Sequence, residues 1–214
     1  MEESEAGNVI NSRLKWLYKI GGAAALIAGV LFLIAVIDLI VTFLQPGTTS
    51  SWLLSFQNNW LVVIFKLHAG ITGIQVGLLN ILNFLDLAIL AFVGMTVLGL
   101  YAALRDTSKI WSMIALAQPF LGILLFIATH NAGRSSVMGA VLVISAVMLR
   151  NGYFNKSLSY LGMLASLLLF AGDLSAGVLP PTILMAAIFG IGYILLISWF
   201  FLIAQKLFEL GRAS

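Results

Sequence analysis

The chain has 214 residues, 61% of them hydrophobic and 9% charged, with a mean hydropathy of +1.09, a balance that a water-soluble domain of this size does not tolerate. The absence of cysteine excludes cysteine-ligated iron–sulfur clusters, thiolate zinc sites, c-type haem attachment and thiol catalysis. The net charge of +3 comes from residues scattered beside apolar runs. No basic patch with interleaved aromatics exists, so nucleic acid is not an expected partner and the lipid bilayer is.

Met1 to Asn8 is acidic and polar, unlike the start of a secretory signal, and the apolar run Ile20–Leu44 is too long for a signal core. No A-x-A-like site follows Leu44, so the run reads as a retained first span. Before it, residues 9–19 mix Ile10, Leu14, Trp16 and Leu17 with Arg13, Lys15 and Lys19, which suits a short interfacial helix. Further apolar segments follow at 60–79, 84–104, 110–130, 135–150, 158–178 and 182–205.

Counted literally these make seven helices, and seven spans divide the basic residues almost evenly between the two sides. If 52–80 does not cross, Arg13, Lys15, Lys19, Arg105, Lys109, Arg150, Lys156, Lys206 and Arg212 all fall on one side. Only Lys66 and Arg134 remain on the other, as the bias of short cytoplasmic loops toward Lys and Arg demands. The segment Ser51–Asn80 also holds Gln57, Asn58, Asn59, Lys66, His68 and Gln75 with three glycines. A charge at the centre of a span costs about 2.5–3.5 kcal/mol, and glycine weakens a helix.

The expected fold is therefore all-α: one membrane domain with six spans, cytoplasmic termini and an outer-surface or re-entrant segment over 52–80. Seven spans are the alternative. The segment 135–150 is the shortest span, since Ser135–Leu149 rises only about 22 Å against roughly 30 Å of hydrocarbon. Pro119 falls inside the third span, where proline can kink a helix, and Pro180–Pro181 makes a rigid outer turn.

Ionisable residues within spans are functional candidates, because their burial is expensive. With six spans Asp38 lies about 9 Å below the outer end of the first, and Asp173 about 8 Å below that of the fifth. Asp86 opens the second span at that side, His130 closes the third, Arg134 follows, and Lys66 and His68 lie on the surface segment. Ala24, Ala28, Leu31, Ala35, Asp38 and Thr42 share steps of three and four, as do Gly162, Ser166, Asp173 and Gly177 with one step of seven. Small residues on such faces allow close helix packing in lipid.

Each candidate also has a plainer reading. Asp38 could pair with Lys66 or Arg134 only to hold the bundle together. Asp86 could serve its own helix start, where a carboxylate complements the dipole. His130 suits an interface, and His68 beside Lys66 a solvated face. Gln118, near the midplane, could satisfy backbone groups freed by Pro119. Asp173 sits in an apolar stretch and, with Asp38, is the preferred functional pair. Trp16, Trp52, Trp60, Trp111 and Trp199 all suit interface belts or their neighbourhood.

Asn83–Arg105 has an Asp-Leu near the start of a span and a Leu-Arg at its exit. A second span ends in Leu149-Arg150, followed by a turn with Tyr153-Phe154, then Leu161-Gly162 and an apolar run to Gly172-Asp173. This arrangement resembles, over about residues 20–210, a family of uncharacterised prokaryotic six-helix integral membrane proteins known as a domain of unknown function. The resemblance implies a prokaryotic cell membrane and six spans. It carries no activity and no functional residue.

The functional expectation is a non-enzymatic membrane protein with an outward-facing polar pocket. Its contents would be a small cationic or amphipathic ligand, a lipid headgroup or a partner membrane subunit, with no cofactor required. Alternatives are a metal-dependent hydrolase, with His68, His130 and one Asp on a zinc and the other Asp as base, and a proton-coupled carrier. A b-type haem between His68 and His130 is the remaining one.

Overall fold

The computed structural model describes residues 2–44, 81–129, 133–176 and 183–213, with side chains described over 14–34, 36–37, 87–124, 135–172 and 187–212. Among these residues there are six helices and no strand: α1 Glu2–Leu44, α2 Ile81–Leu104, α3 Lys109–Thr129, α4 Gly133–Met148, α5 Lys156–Ala176 and α6 Ile183–Ala213. A long run of apolar side chains satisfies its backbone without water only by forming helix. Polar punctuation sets the ends.

At the end of α2, the Thr107 amide bonds the Leu104 carbonyl at 2.9 Å, and the Ser112 hydroxyl reaches the same carbonyl at 3.5 Å, occupying an acceptor that helix ends leave free. Asn155 caps α5, its side-chain oxygen accepting the Ser157 amide at 3.1 Å as N-cap residues do. In the same loop Asn151 accepts the Tyr153 amide at 2.7 Å and donates to the Thr107 hydroxyl at 2.6 Å. That bond ties the α4–α5 loop to the α2–α3 turn.

Two helices exceed the expected bounds. Residues 9–19 are continuous with the first apolar run: α1 runs unbroken for 43 residues, because no proline or glycine interrupts Val9–Ile20. α6 continues past residue 205 to Ala213, where Ala204, Leu207 and Gly211 keep its buried line going. Three helices are long and apolar enough to cross a membrane over their described side chains: Leu14–Ile34 of α1, Leu87–Leu104 of α2 and Ala187–Arg212 of α6. The corresponding stretches of α3, α4 and α5 are apolar but shorter.

The helices close into a ring in chain order, α6 returning against α1, with α2 also touching α4 inside it. Neighbours run antiparallel. Along the α1–α6 seam Gly29 meets Phe201, Gly22 meets Ala204 and Phe208, and Gly211 meets Tyr18 and Lys19. Between α1 and α2, Gly21 lies against Gly99, and Tyr18 lies within electrostatic range of Arg105 and Asp106. Gly94 faces Pro119 and Phe120 across α2–α3, Gly139 faces Gln118 across α3–α4, and Gly172 and Gly192 face Phe189 and Leu169 across α5–α6.

The core inside the ring is built from Leu90, Val93, Val97 and Leu100 of α2, Ile144 and Met148 of α4, and Trp199, Phe200 and Ile203 of α6. Phe32 of α1 stacks on Phe200 at 5.4 Å between ring centroids. The segment 52–80 lies outside the described residues. Antiparallel packing nevertheless brings Leu44, where α1 ends, and Ile81, where α2 begins, to one end of the bundle.

Candidate functional site

The two ends of the ring differ in chemistry. One end gathers Lys15, Lys19, Arg105, Lys109, Arg150, Lys156, Lys206 and Arg212, eight of the eleven basic residues. The expected grouping of basic residues is thus present in the bundle. Its ion pairs among the described residues are Arg105–Asp106 at 3.7 Å and Lys206–Glu209 at 3.1 Å, both exposed and energetically minor.

The opposite end receives the helical positions of Asp38, Asp86, Arg134 and Asp173. On α2, Asp86 repeats the register of Leu90, Val93, Val97 and Leu100, all buried. On α4, Arg134 repeats that of Val137, Met138 and Val141, and on α5 Asp173 follows Gly162, Ser166 and Leu169, again buried lines. α4 packs against both α2 and α5. Two acids and one base therefore follow the helical periodicity of buried residues toward the same end, their own side chains lying outside the described ones.

Asp38 is placed differently. It falls about five turns after the exposed Ile20, off the line of Ala25, Ala28 and Phe32. The face traced from Ala24 through Leu31 drifts, because each step of three turns back by about 60° while each step of four advances about 40°. The side chain of Asp38 itself lies outside the described ones. Lys66, His68 and His130 lie outside the described residues. Among the described residues no three His, Asp or Glu side chains converge as a metal site would require.

Gln118 is half-buried on α3, its amide packed against Gly139 of α4. Its side-chain oxygen has no hydrogen-bond partner among the described residues, while the Ser136 hydroxyl donates to the Gln118 backbone carbonyl. The neighbouring helix α4 thus adds a polar contact to α3 at the residue before Pro119. Gln118→Leu is expected to leave the thermal midpoint unchanged or raise it, because it removes an unsatisfied acceptor at similar volume. A melting curve of the purified variant checks this.

A second polar group lies nearer the basic end and was not anticipated. Trp199 is not an interface residue: it is 0% exposed, whereas Trp16 and Trp111 are 56% and 54% exposed. Its indole N–H and the Ser145 hydroxyl both approach Gly162, whose missing side chain leaves the indole its place. Neither group has a hydrogen-bond partner among the described residues, nor does Ser166 one turn beyond Gly162. Three helices therefore meet around unsatisfied polar atoms in an otherwise apolar interior. The glycine and serine stripe on α5 was visible in the sequence; that a tryptophan fills it was not.

No family model, curated protein or solved structure matches the chain.

Proposed function

We propose that the protein is a six-span integral membrane protein, multi-pass in the cell membrane with both termini cytoplasmic. Its outer end binds a small cationic or amphipathic ligand, a lipid headgroup or a partner subunit without catalysing a reaction. The observation that supports this reading is that α2, α4 and α5 carry the positions of Asp86, Arg134 and Asp173 to one end, in the helical periodicity of their buried residues. Ionisable groups at such positions are costly unless paired or bound.

Counting Asp38 and Lys66 with them in the sequence, three acids stand against two bases, and the surplus negative charge favours a cation. The topology is supported by the closed antiparallel ring, by the basic residues at the other end and by the return of Leu44 and Ile81 to one side.

The test is native mass spectrometry of protein purified from its own host membrane. The wild type should carry an additional bound mass. In Asp86→Asn and Asp173→Asn, retention should fall about tenfold for each lost charge interaction, about 1.4 kcal/mol. A wild type without bound mass, or variants that keep it fully, contradict the reading.

A further inference from the structure

At the basic end of the seam between α1 and α6, the turn that bears Lys15 and Lys19 meets the turn that bears Arg212. A side chain built on Gly211 would lie 3.3 Å from Lys19 Cγ, 3.5 Å from Tyr18 Cβ and 3.6 Å from the Lys15 carbonyl oxygen. The turn of α1 that bears both lysines is therefore pressed against the turn of α6 that bears Arg212. Lys19 and Arg212 are exposed and Lys15 half-exposed, and none has an ion pair among the described residues. Glu209, the nearest acid in the α6 sequence, is engaged by Lys206 at 3.1 Å.

Along the same seam, toward the bundle middle, exposed apolar side chains line both helices. Leu26, Val30 and Leu33 continue the lysine side of α1, and Phe201 and Ile194, on the helical register of Arg212, are exposed on α6. A cationic spot at the end of an apolar furrow matches a molecule with an anionic head and hydrocarbon chains. Of the other basic residues of this end, Arg105 and Lys206 are paired with Asp106 and Glu209, and Lys109, Arg150 and Lys156 stand at separate helix starts and turns, one per element.

We propose that this seam is a binding site for an anionic phospholipid. Lys15, Lys19 and Arg212 hold the phosphate, and the acyl chains lie along the α1–α6 furrow. The lipid bridges the first and last helices where the ring closes. The site requires only that the bundle sits in a bilayer, and it stands apart from the outer-end reading.

The experiment is a native mass spectrometry titration of the full-length protein with phosphatidylglycerol and with phosphatidylcholine. Two triple variants of equal charge change are compared: Lys15→Gln/Lys19→Gln/Arg212→Gln, and Lys109→Gln/Arg150→Gln/Lys156→Gln. The wild type should prefer phosphatidylglycerol. The first triple should lose that preference by about tenfold or more, and the second should stay within about twofold of wild type. Equal loss in both triples would mean diffuse attraction to the surface and would overturn the site. So would a wild type without preference, a first triple that behaves as wild type, or displacement of the lipid by glycerol phosphate at matching concentration. Melting curves of both triples report whether each is folded, and a first triple that melts as wild type yet loses the lipid supports the site.

Discussion

A methyl group added at Gly99 should destabilise the bundle, while the same change at Gly190 should stabilise it slightly. At Gly99 the new carbon would stand 2.9 Å from the Gly21 Cα and 3.1 Å from the Leu17 carbonyl oxygen. Both are backbone atoms of α1, which cannot rotate aside as a side chain does. The two helices would have to separate along the crossing that holds the first half of the ring together. Such close backbone approach is what glycine provides where helices pack in lipid.

Overpacking of this kind costs about 1–3 kcal/mol. At Gly190 nothing among the described residues lies within 4 Å of the added carbon. The helix then gains about 0.5–1 kcal/mol from replacing glycine by alanine. Thermal unfolding of Gly99→Ala and Gly190→Ala in one detergent should therefore shift the midpoint in opposite directions. Equal shifts would show that α1 and α2 do not touch at this crossing.

Gly162→Ala should likewise destabilise, with an effect that depends on Ser145. The added carbon would run into the Ser145 hydroxyl and stand 2.5 Å from Trp199 Nε1 and 2.8 Å from its Cδ1. Trp199 cannot retreat readily, since it is fully buried and packs edge-on against Phe200 at 5.1 Å between centroids. Ser145→Gly removes one of the two obstructions and should restore part of the loss. The pair is thus non-additive, as residues sharing one space are. Trp199→Ala removes the indole and should cost about 3–5 kcal/mol through the cavity it leaves. Simple additivity of Gly162→Ala and Ser145→Gly would place the two residues apart.

What the sequence made legible follows from chemistry that acts on one chain at a time. Apolar runs must become helices in lipid, and the flanking basic residues sort to one end, so the cores of all six described helices and the basic grouping could be read without coordinates. Asp86, Arg134 and Asp173 could be placed at one end because alternating antiparallel helices leave no other arrangement. Two features depended on partners that the sequence does not pair. Trp199 looked like an interface residue because its burial depends on Gly162 of another helix. Ser136 and Gln118 meet only because α3 and α4 run side by side.

The central claim is that the segment between α1 and α2 begins and ends on the outer side, so that the ring of six antiparallel helices spans the membrane with its basic end inside. The cysteine-free sequence makes single-cysteine labelling direct. Thr48→Cys and Asn80→Cys should both react with a membrane-impermeant maleimide in intact cells, whereas Lys109→Cys and Lys156→Cys should react only after the membrane is opened. Labelling of Thr48→Cys and Asn80→Cys from opposite faces, or of Lys109→Cys in intact cells, would contradict the account.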